Sequence, residues 1–491
     1  LATDAFFVAF RIPNLLRRLL AEGALSTAFV PVFTDYLVTR PGAEFARMIR
    51  SVAGAFLLAL CVVSVLGIVL APWLVALMAP GFSAVPHKAD LAARLTRLMF
   101  PYLLFVGLAA LAMGVLNVRR RFFAPALGPV ALNVSMIAAV LFLAPRLDAP
   151  ITGLAIGVLV GGLGQLLVQV PALRRAGVSL VPSAELSHPA LGRIATLLGP
   201  SVVALAAVQL NVFVNTLLAS LLREGAISYL YYADRIVEFP LGVFGMAVAT
   251  AALPPMAEQA ARRDFARLTA TLNFALRLSC FVAVPASVGL LLLRIPIVRV
   301  LFERGEFRDP DTVATAWALG FYALGLTAFS TVRIAAQTFY ALGDARTPVR
   351  AGALSVLLNV GFALILMWPL AHGGLALAAS CASAFNVCYL LRLLRRRLGP
   401  LGGRRILGSL GRIGAGSGCL AVWCGLALWF WPASPSRLVD ALWLTATIGG
   451  GATVYGAVSA ALRSEEALAL FAFVRRGSGS LPRGKGSWYN P

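Results

Sequence analysis

The chain has 491 residues, 60% of them hydrophobic and 13% charged, with 42 Lys+Arg against 20 Asp+Glu and a formal net charge of +22. Soluble domains carry about 25% charged residues, so this composition excludes an ordinary soluble domain and points to an integral membrane protein. The basic excess excludes nothing until its placement is known, because it suits either nucleic acid binding or cytoplasmic loops under the positive-inside rule.

Apolar windows of about 20 residues mark transmembrane helices. Thirteen are predicted, near 4–34, 51–79, 93–117, 124–145, 150–172, 194–221, 226–257, 268–294, 311–341, 348–370, 374–392, 406–431 and 438–462. Their connections alternate in charge. Segments 35–50, 118–123, 173–193, 258–267, 342–350 and 392–412 hold Arg clusters, with seven Arg in the last. Segments 146–149, 222–225, 371–373 and 432–440 together hold three Arg, and the three Arg of 295–310 are balanced by Glu303, Glu306 and Asp309. Segment 80–97, with Lys88, Arg94 and Arg97, fits neither set. The Arg-rich set is cytoplasmic by the positive-inside rule. Residue 1 is then outside and the C-terminal tail inside, and no nucleic acid is needed to explain the charge.

The six cysteines lie in apolar stretches without a CxxC pair, and the three histidines are isolated. Free thiols are expected, with no metal site and no cofactor. The tail 463–491 is basic and polar. Its GSLPRGKGS orders Gly479, Gly484 and Lys485 like a phosphate-binding loop, but Gly486 stands where Ser or Thr is needed and no strand precedes it. A disordered cytoplasmic tail is expected.

Three pairs of segments recur at one spacing. LSTAFVPVF (25–33) matches VATAALPPM (248–256), which aligns Pro31 with Pro254, 223 apart. APWLVALMAPGF (71–82) matches IPIVRVLFERGE (295–306), with Pro72 and Pro296 224 apart. LNVRRRFFAPALG (116–128) matches FYALGDARTPVRA (339–351), with Pro125 and Pro348 223 apart. The agreement predicts a duplication with parallel halves around a central site. The counterpart of helix 194–221 would precede residue 1. The chain is therefore expected to lack the first of fourteen helices, consistent with its start at Leu1 rather than Met. An in-frame stop within about the 35 upstream codons of the gene would contradict that expectation.

Charges inside spans are expensive and usually face a partner or a cavity. The first cluster is Arg11, Asn14, Arg17, Arg18 and Glu22, where Arg18 and Glu22 can pair at i,i+4. The second is YYADRIVEFP (231–240), with Asp234, Arg235 and Glu238. Arg11 aligns with Asp234 and Leu15 with Glu238, so the clusters occupy neighbouring positions of the repeat. A guanidinium stays charged in a dry site and donates paired hydrogen bonds, which suits a diphosphate. Ion pairs that merely hold a bundle together explain the same residues.

TDAFFVAFRIPNLLRRLLAEGALSTAFVPVF (3–33), YYADRIVEFPLGVFGMAVATAALP (231–254) and FYALGDARTPV (339–349) resemble the MurJ (MviN) lipid II flippase family of the multidrug/oligosaccharidyl-lipid/polysaccharide exporter superfamily. The resemblance runs from residue 1 to about 462. It implies an all-α polytopic protein of the bacterial inner membrane with two pseudo-symmetric six-helix lobes. These would be 1–173, lacking its first helix, and 194–398, followed by a helix pair at 399–462 that grooves the lipid tail. It implies alternating-access flipping of undecaprenyl-diphosphate-linked peptidoglycan precursor, lipid II, from the cytoplasmic to the periplasmic leaflet, without covalent chemistry. Matching motif positions assigns the diphosphate to Arg17 and Arg235, assisted by Arg18. Asp4, Asn14, Glu22, Asp234 and Glu238 fall near the cavity or its gate. Membrane lipids and cell-wall synthesis or division proteins are the further partners. Because the family's first helix supplies cavity arginines, the chain as given is expected to be defective. Two rivals remain: a cation-coupled multidrug antiporter of the same superfamily, which would favour acidic and aromatic cavity residues, and a non-transporting scaffold of cell-wall synthesis.

Overall fold

The computed structural model describes residues 2–19, 28–40, 42–185, 187–432 and 436–469, and no strand occurs among them. Two compact units, 1–228 and 229–491, make up the chain. The first contains α1 (Ala2–Arg17), α2 (Val30–Thr39), α3 (Ala43–Val69), α4 (Ala71–Met78), α5 (Lys88–Met99), α6 (Tyr102–Val118), α7 (Phe123–Ala126), α8 (Gly128–Ala138), α9 (Pro150–Leu167), α10 (Val170–Arg175) and α11 (Pro189–Ser220). α12 (Ala226–Pro240) opens at the unit boundary. The second unit continues with α13 (Met246–Ala261), α14 (Phe265–Leu292), α15 (Arg294–Phe302), α16 (Asp309–Ala341), α17 (Arg346–Leu370), α18 (His372–Leu398), α19 (Gly403–Trp429) and α20 (Arg437–Ala461).

The spacing of about 223 residues governs the architecture. α1, α3, α4 and the pair α5–α6 recur as α12, α14, α15 and α16, with ends 221–224 residues apart. The cores share that register. Phe33, Ile49, Ala53, Leu111 and Leu116 are buried together in the first unit, and Met256, Leu272, Leu276, Ile334 and Phe339 stand at the equivalent places in the second. Prolines set the breaks. Pro72 and Pro296 each start a short helix, where a missing N–H costs nothing. Pro101 divides α5 from α6, whereas Leu324 at the matching position leaves α16 continuous.

Eleven helices among the described residues are long and apolar enough to cross a membrane. Of the two further spans expected, 194–221 lies in the continuous 32-residue α11. The other, 4–34, corresponds to α1 and α2 with residues 20–27 outside the described set. The compact division at 228 groups α11 with the first unit, although the sequence reading opens the second half with it. Polar ties explain the grouping: Arg193 pairs with Asp35 at 2.6 Å, and the Ser220 hydroxyl accepts from Gly81 N. A Cβ on Gly81 would sit 1.9 Å from Ser220 O, so glycine permits this approach.

Ion pairs between loops join segments assigned to the same side of the membrane. Arg193–Asp35 and Arg47–Glu185 link 35–50 to 173–193, and Arg397 reaches Asp344 at 2.7 Å across 342–350 and 392–412. The ambiguous segment 80–97 joins the outer set, because Lys88 contacts Asp4, which in turn accepts from Gly225 N.

Candidate functional site

In the first unit the site is built on α1. Its packed face carries Ala5, Val8, Ala9 and Ile12, all buried. The other face presents Arg11, Asn14, Arg17 and Arg18, all half-buried. Positions 11, 14 and 18 fall on one stripe at i,i+3 and i,i+4 spacing. Arg17 Nε donates to Asn14 Oδ1 at 2.7 Å, which orients the guanidinium plane. Arg11 Nη1 donates to Thr216 Oγ1 of α11, whose hydroxyl donates in turn to Val212 O at 2.7 Å. After Arg17 the backbone opens into a wider π turn at 18–19. Such turns distort a helix locally and favour functional sites. Glu22 lies outside the described residues.

Asp4, at the outer end of α1, is only 2% exposed, with its oxygens fully engaged. It accepts from Lys88 Nζ at 2.9 Å, Gly225 N at 2.8 Å, Ser228 N at 2.9 Å and Ser228 Oγ at 2.6 Å. Lys88 is 3% exposed and lies 4.5 Å over the Phe82 ring. Asp4 thus ties α1, α5, Gly225 of the turn after α11 and Ser228 at the start of α12 together at one point. Sequence reasoning missed Lys88 as its partner. The available signal was that Lys88 is one of only two lysines in the chain and stands at the start of an apolar span.

In the second unit the corresponding helix is α12. Arg235 pairs with Glu238 one turn on, and its guanidinium carbon lies 4.9 Å from the centre of the Tyr231 ring. Both members of the pair are about half exposed, at 50% and 51%. Asp234 is exposed beside them, and a π turn follows at Leu241–Gly245. Toward the helix start, Tyr229 Oη donates to Asp311 Oδ1 at 2.6 Å, and Tyr232 packs 4.7 Å from Phe302. Asp311 is the repeat equivalent of Lys88, so one position anchors both helices with opposite charge. Arg333 of α16 donates to Met246 Sδ at 3.6 Å.

The arrangement can hold an anion through several charge-assisted bonds. α1 and the turn that follows it offer three arginines, with no acid after Asp4 through residue 19, whereas α12 offers one arginine against two acids.

The family model "Lipid II flippase MurJ" matches residues 1–442. The chain is 38% identical over 400 residues to the lipid II flippase MurJ of Burkholderia cenocepacia, covering 80% of this chain and 77% of that one. It is 36% identical to the probable lipid II flippase MurJ of Vibrio cholerae, covering 80% and 76%. Among solved structures it is similar to "Lipid II flippase MurJ, inward closed conformation", with a TM-score of 0.78 at 26% identity, covering 94% of this chain and 92% of that one. An inward-facing multidrug resistance MATE transporter shares the fold, with a TM-score of 0.68 at 17% identity over 81% and 90%. The match of the family model over nearly the whole sequence, with relatives above 30% identity, means that the chain belongs to the lipid II flippase MurJ family.

Proposed function

We propose that this multi-pass inner-membrane protein moves lipid II from the cytoplasmic to the periplasmic leaflet by alternating access, for peptidoglycan synthesis. The observation that carries the reading is the cationic face of α1, set in an otherwise apolar, buried helix. Arg17, oriented by Asn14, is the main diphosphate ligand. Arg18 assists it, and Arg235 contributes from the second unit. Asp234 and Glu238 temper the charge so that the anion is released as well as bound. Asp4 acts at the outer end as a tie whose breaking accompanies a change of state. α19 and α20 carry the polyprenyl tail. Substrate shifts the equilibrium between states only through its differential affinity for them. A drug antiporter would favour acids where α1 carries arginines.

The test is transfer of fluorescent lipid II across vesicles containing the purified protein. Protein-dependent arrival at the opposite leaflet is expected, with competition by soluble diphosphate esters. Equal transport of a lipid lacking the diphosphate would contradict the reading.

A further inference from the structure

Arg277 stands alone in the sequence of an apolar span, and diphosphate binding makes no use of it. It lies twelve residues past Phe265 in α14, roughly 18 Å along the helix, with its side chain 3% exposed. A guanidinium at that depth needs a partner. It receives two, both from the segment that follows α20. Nη1 lies 2.8 Å from Glu466 Oε1, and Nη2 lies 2.8 Å from Glu465 Oε2. Glu466 is fully buried and also accepts from Ser409 Oγ of α19 at 2.9 Å and Ser464 Oγ at 2.6 Å. Glu465 is 63% exposed and stays solvated, so Glu466 is the carboxylate that neutralises Arg277. One turn further along α14, Phe281 O accepts from Tyr455 Oη of α20 at 2.7 Å, with the two rings 5.0 Å apart. With Asn273 one turn earlier, the helix pair is fastened to three successive turns of a single helix.

Asn273, one turn before Arg277, donates to Leu401 O at 2.7 Å and Gly402 O at 3.2 Å at the start of α19, and the helix–helix contacts beyond these polar ties are apolar, built from residues such as Phe281, Ile413, Leu420 and Leu444. In a bilayer such contacts compete with equally apolar lipid and set register weakly. A buried ion pair adds little net stability over apolar packing, but only one arrangement satisfies it. We infer that Arg277 and Glu466 are positioning residues for transport, pinning the α19–α20 pair to α14 so that the tail-bearing surface keeps one register with the second unit. The inference rests on the tail role given to this pair above.

Arg277→Met alone strands a buried carboxylate, so the informative proteins are Arg277→Met/Glu466→Met, which removes both charges, and Glu466→Gln, which keeps the bonds to Ser409 and Ser464. Each is compared with wild type for thermal midpoint and for flipping of lipid II bearing either the undecaprenyl tail or a short prenyl tail. Expected for the double variant is a midpoint close to wild type, and for Glu466→Gln a lower midpoint because the buried Arg277 loses its counter-ion; both keep unchanged half-saturation for the short-tail substrate. Half-saturation for the long-tail substrate rises about ten-fold, as for lost binding energy that leaves the transfer step intact. Arg277→Lys, which retains the pair, restores most of the long-tail affinity. Long-tail and short-tail transport falling in parallel, or Glu466→Gln behaving as wild type, overturns the inference. A wild-type protein that flips neither substrate strikes at the lipid II reading instead.

Discussion

α1 and α12 occupy the same place in the two repeats, yet their surroundings differ. α1 is buried along most of its length, and its outer end is held by the Asp4–Lys88 pair with both partners under 4% exposed. α12 exposes Asp234, Arg235, Glu238 and Phe239. The positive charge on α1 stands in a helix locked by its neighbours. The positive charge on α12 is shared with a carboxylate on a solvated or lipid-facing stretch. The two repeats thus share a backbone but differ in charge and in burial at this helix.

The strongest way to break this contrast is at the buried end of α1. Asp4→Asn leaves the Lys88 ammonium buried without its counter-ion, and the expected loss is about 3–5 kcal/mol, read as a drop in thermal midpoint in detergent. A loss below about 1 kcal/mol, typical of exposed pairs, would mean that Asp4 is no structural tie. A second contrast lies in the turn after α6 and α16. Both turns close with matching bonds, Arg121 N to Leu116 O and Asp344 N to Phe339 O, but the left-handed residue is Arg120 (φ 57°) in one and Gly343 (φ 75°) in the other. Gly343→Ala should cost about 1–2 kcal/mol and Arg120→Gly should stabilise by a similar or smaller amount, since only glycine adopts that conformation freely. Equal signs in the two variants would refute the assignment.

Smaller effects test the electrostatics. Glu238→Gln removes the partner of an exposed ion pair, worth about 0.2–1 kcal/mol, and should lower the half-saturating lipid II concentration up to about five-fold by releasing Arg235. Unchanged or weaker affinity would show that Glu238 does not restrain it. The smallest effect is a pH dependence at Asp344. Its carboxyl is held below the usual carboxylate range by the Thr347 backbone N–H and hydroxyl, with Arg397 adding to the effect. A depressed carboxyl contributes stability above its unfolded value and loses it as pH falls through its folded value. The difference in midpoint between wild type and Asp344→Asn should therefore shrink between about pH 5 and pH 3. A difference that grows on acidification would give the wrong sign.

Much of the fold was legible because its signals are local or periodic. Apolar length marks spans, arginine placement marks sides, and recurring prolines expose a repeat that the buried cores then follow residue by residue. The arginines of α1 were legible because charge inside an apolar window is conspicuous. Their partners were not. Lys88 meets Asp4 from 84 positions away, and Glu466 meets Arg277 from nearly 190 away, in a segment read as the start of a basic tail. No local pattern links such residues. The usable hint was scarcity: only 20 acids face 42 bases, so two adjacent glutamates just beyond the last span were candidates for a buried arginine.

The central claim is that α1 carries the principal diphosphate ligand. The direct measurement is the half-saturating lipid II concentration of Arg17→Ala beside that of Arg235→Ala, with Arg17→Lys as the charge-retaining control. A lost charge-assisted bond is worth about 1.5–3 kcal/mol, so Arg17→Ala should weaken binding about 10- to 100-fold. Arg235→Ala should cost less, and Arg17→Lys should recover part of the loss. Wild-type affinity in Arg17→Ala, or a larger loss in Arg235→Ala, would contradict the account.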